Sequence, residues 1–464
     1  MRDLGPLAAP RSVAVIGASS NLSKSGGVLF KNIVEGGFAG PIHPINPRPG
    51  EILGRRTYAT VSAVPEPVDL AFIVLPQAGV RAALEDCIRS RVRAACIITG
   101  GFAEAGEDGK RLQHELRGLV REAGLLTIGP NTIGTVNAEI RLMGSFTPFP
   151  EWPAGPVSIF CQTGIFAGAA MVQFMSQAVQ RFGIGKSIDA GNKVDVDELD
   201  FLRFAAGDPG TKIVGLHLED IRDPDAFFPL ADRVGREKPI VILKPGRTPL
   251  GAAAAAYHTA SRPMDDGALD AAFRRHGLVR ADDVEDFLGF LKAFAYLPAP
   301  KGRRIGVVTY SGALGVMAMD DVAGSGLAAA RFSPSTLETV SKVVYGWQPL
   351  VNPLDMWAAI DAAGPRPAHE VPLDAALGDP EIDMVLALPL TPANADFPET
   401  REVFAKLRER HPDTPLAMVI TGGAIRERWL RDIDGLGIPV YPTTRAAVRA
   451  LAALAAWREH RDRG

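Results

Sequence analysis

Cysteine is scarce in this sequence: Cys87, Cys96 and Cys161 are the only three among 464 residues. An odd count without a Cys-x-x-Cys pair excludes a disulfide framework and a cysteine-based zinc site, which leaves apolar burial as the role of all three. Aromatic residues amount to 7%, and no basic run is interleaved with them, so the usual nucleic-acid platform is missing. Neither sign of charge dominates, since 50 Lys plus Arg face 53 Asp plus Glu for a net charge of −3. No apolar stretch reaches the ~18 residues that span a bilayer, and the opening MRDLGPLAAPRS carries no apolar signal core. These absences predict a cytoplasmic protein with no nucleic-acid or membrane partner.

What the sequence has is aliphatic material. With 47% apolar residues and a length of about three domains at ~150 residues each, every third can bury its own core. SVAVIG, PIHPIN, DLAFIVLP, AACIITGG and LLTIGPN recur at intervals of roughly 25 to 30 residues, separated by helix-length polar segments, the signature of βαβ units. The strand candidates are unbroken apolar runs, which implies parallel sheets covered on both faces. Pro148, Pro150, Pro153 and Pro156 mark a linker, after which PVSIFC, FGIGKSI, KIVGLHLE and PIVILKPG restart the pattern. A second linker, YLPAPKGRR, precedes RRIGVVT, MVLALPL, PLAMVIT and IPVY. The expectation is three α/β domains at 1–148, 153–298 and 301–464.

The first turn, VIGASSNLSKSGG, follows a strand and opens a helix, where a dinucleotide or CoA pyrophosphate would sit. Gly17 is in place, but Ser19 stands where a dinucleotide fingerprint has its second glycine. The second strand ends in Asn46, Pro47 and Arg48 rather than in the acid that reads a ribose diol. A cation there suits a phosphorylated ribose and weakens a dehydrogenase reading. A P-loop at Gly185, Lys186 and Ser187 fails because Gln180 occupies its first glycine position.

SIFCQTGIFAGAAM and GVVTYSGALGVMAM echo each other: apolar strand, hydroxyl and glycine (Thr163 and Gly164, Ser311 and Gly312), then a small-residue helix. Such turns present backbone N–H groups and a positive dipole end to an anion, although any tight strand-to-helix turn also favours Ser, Thr and Gly. His258 lies in an alanine-rich run, and Glu219 ends a strand; by default they are a capping histidine and a strand-end carboxylate. A carboxylate bonded to one imidazole nitrogen would leave the other nucleophilic. Asp195, Asp197, Glu198 and Asp200 read as a solvated, acid-rich helix start, lacking the glycine and final glutamate of a calcium loop, so no metal is assigned. Trp347 and Trp357 read as core or pocket lining.

VAVIGAS, HPINP, ITGGFAEAGEDG, IGPNTIGTVN, GNKVDVDE, YHTAS and NPLDM together resemble the α subunit of ADP-forming (NDP-forming) acyl-CoA synthetases, relatives of the succinyl-CoA synthetase α chain. The resemblance runs over nearly the whole chain. It implies an N-terminal Rossmann-like CoA-binding domain followed by two flavodoxin-like parallel-sheet domains, and a histidine phosphorylated during turnover. His258 matches that histidine and Glu219 the glutamate that orients it. Gln162, Thr163 and Gly164, with Ser311 and Gly312, are the expected phosphate-binding turns. CoA is expected along Gly17, Ser19, Lys24, Asn46, Arg48, Pro76, Thr99, Gly101 and Asn131, the last four at carboxyl ends of successive strands. ATP or ADP and Mg are expected only through an ATP-grasp β subunit, in a heterotetramer. Cys161 stands where the family turn has serine, Tyr257 precedes the histidine in place of serine, and Ala260 replaces a glycine. These departures keep an alternative open: a catalytically inactive CoA-binding regulatory or scaffold protein.

Overall fold

The computed structural model describes residues 2–147, 153–162, 164, 182–259 and 264–463, and of 256–259 the backbone alone. The chain divides into two compact units, the first holding the described residues up to 164 with Gly183–Arg280, the second Phe182 with the residues from Ala281 on.

The first unit holds two sheets. In the first, β1 (Val13–Ile16), β2 (Ile42–Ile45), β3 (Leu70–Ile73), β4 (Ala94–Ile97) and β5 (Leu126–Ile128) lie in the order β2-β1-β3-β4-β5, all parallel. Every residue of these strands is buried, as unbroken apolar runs require of a sheet covered on both faces. Helix α1 (Ser25–Gly36) follows β1, and helix α2 (Glu107–Glu122) joins β4 to β5. Cys87 and Cys96 are buried in the cores on either side, and burial pushes the Cys87 thiol up to about 12.

After β5 the chain crosses to the second sheet. β6 (Gly134–Asn137) and β7 (Leu142–Ser145) form an antiparallel hairpin. β8 (Val157–Cys161), β9 (Ile184–Asp189), β10 (Ile213–His217) and β11 (Ile240–Leu243) continue the sheet in the order β11-β10-β8-β9-β6-β7, with Val279–Ala281 outside β11. β8 to β11 are parallel, whereas β6 runs antiparallel to β9. The hairpin escapes sequence reading because GTVN and LMGS are short and hardly apolar. Helix α3 (Glu198–Gly207) leads to β10, and helix α4 (Pro249–Thr259) carries the backbone of His258. Among the described residues, no helix is long and apolar enough to cross a membrane.

The second unit is a parallel sheet with Arg304–Thr309 beside Met384–Leu388, which pairs with Leu416–Met418. Ala328–Ala329 and Leu354–Asp355 pair with the other side of Arg304–Thr309. IPVY contributes a single bridge, Met418 to Val440, rather than a full strand. Trp429, fully buried, fills the core of this unit, whereas Trp347 and Trp357 are 73% and 48% exposed, contrary to expectation. Tyr310, buried just before the Ser311 turn, stacks on His369 with ring centroids 4.2 Å apart and donates its hydroxyl to Ala368 O at 2.9 Å.

His369 is wholly buried, its Nδ1 2.7 Å from Pro365 O, and burial pushes its pKa down to about 4. Because the folded value is depressed, the unfolded chain takes up the proton first. Stability from this group is complete above about pH 6.5 and is lost as pH falls toward 4, by about 3 kcal/mol in all. Denaturant titrations at about pH 7 and pH 4.5 should therefore differ less for His369→Phe than for the native protein. An equal difference in both would remove this histidine from the pH response.

Candidate active site

The two sheets of the first unit are joined through their loops. The Gly129–Pro130 peptide is cis, and Asn131 has a φ of 61°. The segment 127–131 is paired with the loop 190–196: Gly129 N donates to Ala190 O (3.0 Å), Val194 N to Gly129 O (2.8 Å), Asn192 N to Pro130 O (3.0 Å) and Val196 N to Thr127 O (3.1 Å). Asn131 N donates to Thr99 O (2.9 Å), which ties the same segment to the end of β4. Gly191, with a φ of 51°, permits this contact, since a Cβ there would lie 2.4 Å from Pro130 O. Two motifs distant in sequence, IGPNTIG and GNKVDV, thus form one hydrogen-bonded joint.

On the carboxyl side of the first sheet, Gly17, Ser19, Lys24, Gly26, Pro76 and Thr99 line a cavity of about 430 Å³. Gly17 has a φ of 90°, and a Cβ there would sit 2.1 Å from Val74 O. A Cβ at Gly26 would sit 2.2 Å from Gly17 O, so the SGG at 25–27 lets α1 start directly against the end of β1. These glycines are the close-packing signal that the missing fingerprint glycine at position 19 concealed. Lys24 caps α1 without a side-chain hydrogen bond to its first turn. Asn46 lies behind the loop, donating to Ala18 O (2.8 Å) and accepting from Arg48 N (2.9 Å), while the Arg48 side chain is exposed and does not line the cavity. Gly101 and Asn131 neighbour the cavity without lining it; Gly101 N donates to Glu104 Oε1 at 2.6 Å.

On the second sheet, Gln162 and Glu219 are brought together. Gln162 Oε1 accepts from Glu219 N (2.9 Å) and Asp220 N (3.3 Å), and Gln162 N donates to His217 O (3.1 Å). Both side chains are buried. The buried Lys193 ammonium then bridges Glu198 (2.9 Å) and Asp220 (2.6 Å), and Glu198 Oε1 accepts from Arg222 N (2.7 Å). Gly164 is pressed on the IGPNTIG segment, where a Cβ would lie 2.6 Å from Ile133 Cγ2. Thr163 and the His258 side chain lie outside the described residues. The backbone of α4 passes close to the turn Ala103–Ala105.

The acidic cluster is not solvated. Asp195, Glu198 and Asp200 are buried; Asp195 pairs with Arg2 and Arg121, and Asp200 with Arg2. Only Asp197 behaves as a simple cap, accepting from Leu199 N and Asp200 N. Among the described residues no group of His, Cys, Asp or Glu is arranged to hold a metal. In the second unit, Ser311 caps helix α5 (Gly312–Ala323) without a side-chain cap bond, leaving its first N–H groups free of one. The Asp355 carboxylate lies 3.1 Å from where a Cβ of Gly312 would be, a negative neighbour that sequence reading missed.

Residues 11–138 match a family model described as a CoA binding domain, and residues 154–294 one described as a succinyl-CoA ligase like flavodoxin domain. The chain is 33% identical to the α subunit of the ADP-forming acetate–CoA ligase I of Pyrococcus furiosus, over 97% of this chain and 96% of that one. It is also 33% identical to the ADP-forming acetate–CoA ligase II of Archaeoglobus fulgidus, over 99% of this chain and 68% of that longer one. A solved dinucleotide-forming acetyl-coenzyme A synthetase 1 of Candidatus Korarchaeum cryptofilum, in complex with phosphate and ADP, superposes with a TM-score of 0.89 at 31% identity, covering 100% of this chain and 98% of that one.

Gln162→Met keeps the side-chain length but removes the acceptor that satisfies the N–H groups of Glu219 and Asp220. The expected cost is about 1–3 kcal/mol of unfolding free energy for stranded buried donors, read from denaturant midpoints. A variant as stable as the native protein would show that the latch does not hold this turn.

Proposed function

The chain belongs to the ADP-forming acetate–CoA ligase family, and from that premise we propose that it is the α subunit of an acyl-CoA synthetase, converting acyl-CoA, phosphate and ADP to acid, CoA and ATP. The observation that carries the proposal is the joint between 127–131 and 190–196, because it ties the end of β4, where Thr99 lines the cavity of the first sheet, to the loop whose Lys193 holds the turn at Asp220. CoA lies along Gly17, Ser19, Lys24, Pro76 and Thr99, its phosphates at the uncapped start of α1; Asn46, Arg48, Gly101 and Asn131 shape the surround. The proposed domains are 1–148, 153–298 and 301–464, the first lending its β6–β7 hairpin to the sheet of the second.

The chemistry divides into three transfers. A phosphate oxygen attacks the thioester carbonyl, the C–S bond breaks, and acyl phosphate and CoA result. A ring nitrogen of His258 then takes the phosphoryl group, releasing the carboxylate. ADP finally receives the phosphoryl group from the histidine. Glu219 holds the imidazole by accepting a hydrogen bond from its other N–H, and the carboxylate's negative charge favours the charged ring formed on phosphorylation. Backbone N–H groups at Thr163 and Gly164, on the turn that Gln162 anchors, stabilise the equatorial oxygens. In the second unit the start of the helix at Gly312, capped by Ser311, is the corresponding anion-binding turn. ADP and Mg are held by an ATP-grasp β subunit in a cytoplasmic heterotetramer; in the Archaeoglobus relative, the third that this chain does not match is long enough to supply that function within one polypeptide. Against the inactive scaffold stand the buried Glu219 side chain and the Gln162 bond to its main-chain N–H, which fix the position from which a carboxylate would orient the imidazole.

The test is ATP formation from acetyl-CoA, phosphate and ADP. Activity should appear only when an ATP-grasp partner is added, vanish in His258→Ala and slow in Glu219→Gln. Lys24→Ala should weaken CoA binding by about 1–3 kcal/mol in calorimetry, the range for hydrogen bonds to charged groups. Full activity in His258→Ala would overturn the mechanism.

A further inference from the structure

A second cavity of about 510 Å³ lies between α2 and the 192–194 and 220–222 turns, and it is unusually cationic. Lys110, His114 and Arg117 reach it from one face of α2 at helical spacing, and Arg222 closes it from the second sheet. Arg117 is half-buried and makes no ion pair or hydrogen bond among the described residues. Burial lowers its pKa, and the neighbouring charges of Arg222 and Arg121 lower it further, against the opposing effect of Asp195 and Asp197. Arg222 spends Nη2 on the Asn192 and Lys193 carbonyls, while its buried Nη1 has no partner. Asp220, the carboxylate that lines the cavity, is committed to Lys193, and Glu107 and Glu104 outside the lining are bonded to Lys110 and to Asn192 and Gly101 N. Two guanidinium groups with no carboxylate in contact repel each other in this half-closed cavity, Asp195 and Asp197 offsetting the effect on Arg117 only in part, and an anion between them would relieve it.

We propose that this cavity is a second oxyanion site, separate from the CoA cleft, which holds inorganic phosphate or a small carboxylate beside the phosphoryl-transfer turn. Gln162 and Asp220 line it, and the Ala103–Ala105 turn at its edge packs against α4, the helix that carries His258. Phosphate and acid are respectively substrate and product of the proposed reaction, so the inference deepens that reading. Its binding test does not depend on turnover.

The purified chain is titrated with inorganic phosphate and, separately, with acetate, by calorimetry and by thermal melting. Binding of either anion should weaken at least about tenfold in Arg117→Gln, less in Arg117→Lys, and persist in His258→Ala. The tighter anion identifies the source. Without anion, Arg117→Gln should melt at or above the native temperature, because a repulsion is relieved. With phosphate or acetate the native protein should gain a melting increment that the variant lacks. Binding of neither anion, equal binding in Arg117→Gln, or loss of all binding in His258→Ala would each overturn the inference. Absence of ATP formation with anion binding intact would count against the proposed function alone.

Discussion

One buried ammonium organises the first unit. Lys193 is almost fully enclosed, carries a φ of 52°, and bonds Glu198, the Asp220 carboxylate and the Asp220 carbonyl. Burying one cation with two carboxylates is tolerable only when the geometry is complete, and removing one member typically costs about 3–5 kcal/mol. The three groups come from the 190–196 loop, the start of α3 and the turn after β10, so their pairing sets the position of Glu219. The same loop is hydrogen-bonded to 127–131, so the constraint passes on to the end of β4 and the CoA cleft.

The two proposed anion sites rest on different physics. The cleft proposed for CoA relies on backbone proximity: at Gly17 and Gly26 the absence of side chains lets a helix start meet a strand end. The cavity beside α2 relies on side-chain charge, with Arg117 and Arg222 left without carboxylates. A site built from backbone dipoles tolerates repeated entry of a large ligand. One built from guanidinium groups favours a small oxyanion that pairs in bidentate fashion.

Most strands were legible because a doubly covered parallel strand must be apolar throughout, and VAVI, LAFI, AACI and IVIL have no other use. The β6–β7 hairpin was not legible, because its pairing with β9 is decided by neighbours some fifty residues away. The acidic run at 195–200 misled for the same reason: Arg2, which buries Asp195 and Asp200, lies at the far N-terminus. Gly17, Ser19, Lys24, Pro76 and Thr99 line one cavity, as the convergence of the carboxyl ends of parallel strands leads one to expect. Arg48 lies outside that cavity, since strand position says nothing of where a long exposed side chain ends. The Lys110, His114 and Arg117 face carried a helical-spacing signal that looks identical to a solvated surface until Arg222 is seen opposite.

The central claim is that phosphate reaches ADP by way of a histidine on this chain. Its most direct measurement is a rapid-quench reaction of the chain and its ATP-grasp partner with acetyl-CoA and labelled inorganic phosphate, before ADP is added. The account predicts acid-labile, base-stable label on His258, discharged when ADP is supplied. ATP formation with no label ever residing on this chain would contradict it.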